Sequence, residues 1–196
     1  MPFVAFLDAC VLFPPNLRDV ILTIAEAGIC QIRWSPDVLD EMERNIIKKA
    51  KFDHEKAESG VRYLRGVMEN AFPDAMVEQG MYSHLITVMP NDPKDRHVLA
   101  AAIACRADLL VTANIKDFSY PPDFCQVEIQ HPDDFLRNQL ELAPKALFET
   151  LKELASQRHT PMNSVRAILE SLHKTVPNFA MLAFDLLPQF ESEKTH

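Results

Sequence analysis

Glycine is nearly absent from this chain: four in 196 residues, none in a G-x-G-x-x-G or G-x-x-x-x-G-K-[ST] arrangement. Both loops need glycine so that backbone amides can close around a phosphate, which argues against a nucleotide-cradling turn. Cysteine is scarce too. Cys10, Cys30, Cys105 and Cys125 are widely spaced, form no C-x-x-C and have no nearby histidine, a pattern of buried reduced thiols rather than a zinc site or a disulfide framework. The seven histidines include no H-x-x-x-H pair. No apolar run reaches the length of a membrane span, and the N-terminus has neither the basic flank nor the small-residue cleavage site of a signal peptide; a soluble, cytoplasmic protein without membrane attachment is expected. Positive charge is also short, with a net of −8. The broad basic footprint of a nucleic-acid binder is therefore missing, although an acidic metal site beside a local basic strip is compatible with that balance.

What is present is ordinary globular material, 47% hydrophobic and 24% charged, long enough for one α/β domain with something appended. Residues 3–7 form a short apolar run read as a buried strand. Asn16 is placed to cap a helix carrying Leu17, Val20, Ile21, Ile24 and Ala25, which stops at Gly28. Residues 29–34 suit a second strand. Ser35 then serves as N-cap and Pro36 as first helical residue, with Val38, Leu39, Met42 and Ile46 on one stripe. A further helix is expected from about His54 to Ala71, while 74–90 is ambiguous. Asp92 is read as N-cap and Pro93 as the start of a helix bearing Val98, Leu99, Ala102 and Ile103. Strands follow at 109–112 and 127–129. Alternating strands and long crossovers predict a parallel sheet between helical layers. Beyond Pro132 the pattern is helical throughout, punctuated by Pro144, Pro161, Pro177 and Pro188. The expected division is residues 1–140 as the α/β domain and 141–196 as a C-terminal helical extension.

Four acidic residues carry the functional signal. Asp8 ends the first strand, Glu41 lies in the second turn of the Ser35-capped helix, Asp95 opens the helix after Asp92-Pro93-Lys94, and Asp117 follows the strand 109–112. In a parallel sheet these points share the edge where strands end and helices begin, and ligand crevices form there. Each acid has a bland account of its own. Asp8 can be a strand stop, Asp95 a partner in a capping box with Asp92, Glu41 or Glu43 a solvated helix glutamate, and Asn114 or Asp117 a turn residue. Convergence of all four is what needs a cation.

The segments around these acids resemble PIN-domain ribonucleases. Phe3-Val4-Ala5-Phe6-Leu7-Asp8-Ala9-Cys10-Val11-Leu12 is similar to their opening strand and first aspartate. Trp34-Ser35-Pro36-Asp37-Val38-Leu39-Asp40-Glu41-Met42 is similar to their second station, which selects Glu41 over Glu43. Asp92-Pro93-Lys94-Asp95-Arg96-His97-Val98-Leu99-Ala100-Ala101-Ala102 and Leu110-Val111-Thr112-Ala113-Asn114-Ile115-Lys116-Asp117-Phe118 are similar to the third and fourth. The resemblance covers about residues 3–135, and with the helical tail the whole chain is similar to the VapC-like branch of bacterial type II toxins. One departure stands out: many PIN nucleases carry aspartate two residues after the threonine, where this chain has Asn114.

The resemblance implies a PIN-like three-layer α/β/α sandwich with a central parallel sheet, and an endoribonuclease that uses Mg²⁺ or Mn²⁺. Hard divalent cations take oxygen ligands, lower the pKa of bound water and offset charge at a reacting phosphate. Asp8 and Asp95 are expected to hold the principal ion. Glu41 and Asp117, or Asn114 through its carbonyl, would hold a second ion or orient water, with Thr112 in support. Arg18, Arg44, Lys48, Arg96 and Lys116 are candidates for gripping substrate phosphates; Lys49 and Lys51 continue the basic run of the Glu41 helix. His97 is read as solvated surface. The implied partners are an RNA substrate, a small antitoxin protein and a second copy in a homodimer. The rival readings are a PIN-type nuclease in housekeeping RNA processing and a catalytically degenerate PIN-fold scaffold. An aspartyl-phosphate phosphatase is set aside, because the acid it needs two residues after Asp8 is Cys10.

Overall fold

The structure, a computed structural model, describes residues 3–50, 54–118, 124, 126–159, 161 and 163–191. Cys125 and Lys51 lie outside the described residues. The chain divides into two compact units, one of residues 3–13 and 31–130, the other of 14–30 and 131–196.

The first unit is built on four parallel strands, β1 (Val4–Leu7), β2 (Gln31–Arg33), β3 (Leu109–Val111) and β4 (Glu128–Gln130), in the order β2-β1-β3-β4. Val4 pairs with Gln31 on one side of β1, and Ala5 with Leu109 on the other. The two central strands are almost wholly apolar, as a parallel sheet buried on both faces requires. Ala5, Phe6, Leu7, Leu110 and Val111 are completely buried. Trp34 extends the sheet edge through a bridge to Met76. With its helical crossovers, this is a fold of the three-layer α/β/α kind.

The helices of this unit are α1 (Ala9–Leu12), α3 (Pro36–Lys49), α4 (His54–Ala71), α5 (Gln79–Tyr82) and α6 (Arg96–Ala104); α2 (Pro15–Glu26) belongs to the second unit. The start of α3 follows the sequence reading: Ser35 Oγ accepts from the Val38 N–H at 3.3 Å and Pro36 takes the first position. Buried Val38, Leu39 and Met42 form its inner stripe. The ambiguous stretch holds the Met76 bridge, α5 and a 3-10 turn at Ile86–Val88.

The expectation for α6 is corrected. The helix begins at Arg96, not Pro93, and Asp95 rather than Asp92 occupies its N-cap. Asp92 instead closes a turn: its Oδ1 accepts from the Lys94 N–H at 3.0 Å and its carbonyl from the Asp95 N–H at 2.9 Å. A short Asx side chain reaches the amide two residues on more easily than it anchors a helix through a proline.

The second unit is helical: α2, α7 (Pro132–Leu142), α8 (Pro144–Ser156), α9 (Val165–Leu172) and α10 (Pro177–Glu191). Here too the sequence reading needs amendment. Pro15 opens α2 with Pro14 at its N-cap, so Asn16 is already inside the helix. Gly28, at φ +74°, closes the same helix as expected, with its N–H on the Ala25 carbonyl and the Ile29 N–H on Ile24. Pro144 and Pro177 start helices, whereas Pro188 lies within α10. The buried Asp133 carboxylate accepts the Asn178 and Phe179 N–H groups at 3.1 and 2.7 Å, capping α10 from α7. Phe148 stacks on Phe190 with centroids 4.4 Å apart. Among the described residues no helix is long and apolar enough to cross a membrane.

Candidate active site

The strand order fixes where a site can form. Chain leaves β1 toward β2 on one side and β3 toward β4 on the other, so β1 and β3 are the switch point, and a crevice opens beyond their C-terminal ends. Asp8 follows β1 there and is only 5% exposed. A carboxylate so enclosed needs hydrogen bonds. Its Oδ2 accepts from Thr112 Oγ1 at 2.6 Å and from Cys10 Sγ at 3.0 Å. Thr112, fully buried at the end of β3, in turn accepts from the Asn114 N–H at 3.0 Å. The Ala113 N–H donates to Cys10 Sγ at 3.2 Å. The network ties the ends of the two central strands together and leaves Oδ1 of Asp8 as the oxygen those bonds do not use.

The other acids gather around Asp8. Burial, and then the charge of Asp8, push the Glu41 carboxyl above its ordinary value, opposed by Arg44 and by a hydrogen bond with Asn45. Glu43 turns away to Arg65, 3.5 Å distant, whose guanidinium also meets Asp40 at 2.6 Å and Glu69 at 2.9 Å. Glu41 thus lies within reach of the charge of Asp8, while the Glu43 side chain is engaged with Arg65. Asp95 is perturbed most, from 3.8 up to about 6, first by burial and then by the charges of Asp117, Asp8, Glu41 and Asp92. Its side chain makes no capping hydrogen bond. The capping-box account of Asp95 therefore fails on geometry, and its carboxylate stays available.

Asp117 sits in a 3-10 turn, Ile115–Phe118, anchored by buried Phe118 and by the Asp117 N–H on the Asn114 carbonyl at 2.9 Å. Its charge weighs more on Asp95 than that of any other acid. Asn114 enters the network through its backbone, and its side chain is exposed.

The basic candidates divide. Arg44 acts on Glu41. Lys48 and Lys49 are exposed at the end of α3. Arg96 Nε donates to the Asn91 carbonyl at 3.0 Å, holding the turn before α6. Lys116 is exposed beside Asp117, and Arg18 is buried in the second unit, 3.6 Å from Asp19. His97 differs from its reading as solvated surface. Its side chain is 17% exposed, with Nε2 3.8 Å from Glu41 Oε2. Sequence reasoning also passed over Cys10 as a carboxylate donor, for which its place two residues after Asp8 was the signal.

Among the described residues no three His, Cys, Asp or Glu side chains stand close enough to hold a metal ion by themselves. The chemistry of the side chains nonetheless suits a hard divalent cation, since the acids whose charges act on Asp95 offer oxygen donors and the nearby Cys10 thiol is pushed up to about 12 by burial and by Asp8.

Comparison with known proteins adds family relationships to this geometry. A family model described as PIN domain matches residues 5–116, and one described as VapC50 C-terminal domain matches residues 132–183. A Mycobacterium tuberculosis protein named "Putative ribonuclease VapC50" is 40% identical over 110 residues, which is 55% of this chain and 64% of that protein. The chain thus spans just under two thirds of that relative's length. No solved structure matches the chain.

Proposed function

The chain belongs to the PIN-domain family, and from that premise we propose that it is a divalent-metal-dependent endoribonuclease, the toxin of a type II toxin–antitoxin pair. One observation carries the nuclease reading. Burial, and then the charges of Asp117, Asp8, Glu41 and Asp92, raise the Asp95 carboxyl at the switch-point edge to about 6. Such repulsion costs stability unless a cation relieves it. Mg²⁺ or Mn²⁺ bound there would lower the pKa of a coordinated water and offset the charge that builds on the phosphoryl oxygens. Such ions commonly use one or two protein carboxylates and complete their shell with water and phosphate, which agrees with the absence of a three-residue cage among the described residues.

The residues then take distinct roles. Asp8, held by Thr112 and Cys10, presents a fixed oxygen, and Asp95 supplies the second. Glu41 and Asp117 orient water or a second ion, and Asn114 keeps Thr112 aimed at Asp8 through its N–H. Arg44, Lys48 and Lys116 lie on the same elements as the acids and suit phosphate contacts, with Arg96 and Arg18 serving their own elements first. The toxin assignment is supported by the match of residues 132–183 to the VapC50 C-terminal domain and by the identity to VapC50. An antitoxin would place a basic side chain in the acidic cleft, where charge complementarity favours it. The chain would act in the cytoplasm as a homodimer.

The test is controlled expression followed by sequencing of RNA ends. Wild type should slow growth and generate new, recurrent ends, and Asp8→Asn should do neither. High-level expression of active enzyme with undisturbed growth would remove the toxin assignment, and absence of new ends would remove the nuclease.

A further inference from the structure

His97 stands in the first turn of α6, two residues after Asp95, and its ring is largely enclosed. The side chain is 17% exposed, and Nδ1 is buried with no hydrogen-bond partner. Nε2 lies 3.8 Å from Glu41 Oε2, which belongs to α3. A solvated histidine leaves both ring nitrogens to water. This one gives up water on one side and meets a carboxylate of the acidic cluster on the other, and the roles of the four acids do not use it.

The groups around Glu41 divide by helix. Asn45 hydrogen-bonds it and Arg44 acts on its charge, but both stand on α3 and move with it. They fix the carboxylate relative to its own helix. His97 comes from α6, the helix that Asp95 opens, so its contact ties the Glu41 carboxylate to the frame of Asp95. Acids that arrive on separate helices must be held within about 0.5 Å of their productive positions to act together. The partner also decides which nitrogen carries hydrogen: a carboxylate only accepts, so the proton belongs on Nε2. At 3.8 Å the contact is longer than a hydrogen bond. Catalytic contacts are often loose in the resting enzyme and tighten in the complex with substrate.

We propose that His97 is a positioning residue, whose Nε2–H steers the Glu41 carboxylate across the gap between α3 and α6 and holds it in register with Asp95. The inference rests on the nuclease reading and adds a fifth side chain to its site. His97 acts through Glu41, not on the phosphate itself. The role needs a donor at Nε2, not a change of charge.

The experiment compares His97→Gln, His97→Asn, Glu41→Ala and the double variant His97→Asn/Glu41→Ala in the full chain. Glutamine can place an amide N–H where Nε2 stands, whereas asparagine reaches only as far as Nδ1. In Mg²⁺-dependent RNA cleavage His97→Asn should lower kcat about 10- to 100-fold, the range for a partner that orients a ligand, with KM for RNA unchanged. His97→Gln should keep most of the rate. Thermal melting in EDTA reads the contact without metal or turnover. The fall in Tm caused by His97→Asn should be larger with Glu41 in place than in Glu41→Ala, as two side chains in contact require. Two-bond ¹H–¹⁵N spectra of wild type labelled at histidine, with the His97 signal identified by its loss in His97→Gln, should show hydrogen on Nε2. A ring protonated on Nδ1 alone would overturn the proposal. So would equal kcat in His97→Gln and His97→Asn, or the same fall in Tm in both backgrounds. If wild type cleaves and His97→Asn matches its kcat, the positioning role fails and the nuclease stands. If wild type cleaves no RNA in Mg²⁺, both fall.

Discussion

Asp95→Asn should make the metal-free protein more stable near neutral pH while removing its ability to respond to Mg²⁺. In the folded chain the Asp95 carboxyl is raised from 3.8 to about 6 by burial and by Asp117, Asp8, Glu41 and Asp92. A group raised in this way contributes its full share of stability below its ordinary value, where it is neutral in both folded and unfolded chains. That share is lost as pH rises through the folded value, because the folded chain must then ionise a carboxyl that its neighbours repel. At 1.36 kcal/mol per pH unit the displacement corresponds to about 3 kcal/mol. The side chain is partly open to water, so screening reduces this to about 1 kcal/mol. Asparagine is as good an N-cap as aspartate, and Asp95 makes no side-chain capping bond, so the substitution costs α6 little. For a chain of this length the gain amounts to a rise in Tm of about 2–4 °C. The assay is thermal melting in EDTA across pH, then with added Mg²⁺. The variant should melt higher than wild type near neutrality, and the gap should close between about pH 6 and pH 4. Mg²⁺ should raise the wild-type Tm by mass action and leave the variant nearly unmoved. A variant that melts lower than wild type at neutral pH, or that gains as much from Mg²⁺, would refute the idea of an electrostatically frustrated metal site.

Thr112→Val removes a buried hydrogen bond to an ionised carboxylate, and should cost about 1.5–3 kcal/mol in denaturant unfolding together with a fall in cleavage rate. Glu41→Gln should abolish most cleavage, whereas Glu43→Gln should chiefly loosen the contact to Arg65 and show up in melting rather than in turnover. Asp117→Asn should damage cleavage more than Asn114→Ala, since Asp117 places a charge on Asp95 and Asn114 works through its backbone; the reverse ranking would move the fourth station to Asn114. The Cys10 thiol, pushed up to about 12, should react with iodoacetamide near pH 8 far more slowly than free cysteine, as mass spectrometry can show.

The sequence made the sheet legible because the two central strands are short, continuous apolar runs, and α3 and α4 legible because a Ser-Pro start and a helical stripe state their period outright. Less could be read where proline and Asx residues offer competing turn chemistries. Asp92 looked like a helix cap, yet its side chain closes a local turn, and that shift of three residues is what leaves Asp95 uncapped and chemically available. Pro188 looked like punctuation and lies within α10. The grouping of α2 with α7–α10 depends on long-range packing that no local pattern encodes. At the site, the four acids could be named from their places after strands and in first helical turns. His97 was not, because an imidazole 3.8 Å from Glu41 becomes visible only once α3 and α6 are brought together, whereas Cys10, two residues from the Asp8 it bonds, was within local reach and passed over.

The most direct test is cleavage of end-labelled single-stranded RNA by the purified chain in three conditions: Mg²⁺, excess EDTA, and EDTA followed by Mn²⁺. Wild type should cleave in the first, stop in the second and recover in the third, while Asp8→Asn, folded as judged by melting, stays inactive throughout. Turnover that persists in EDTA, or that survives in Asp8→Asn at saturating Mg²⁺, would contradict a metal-dependent nuclease built on these four carboxylates.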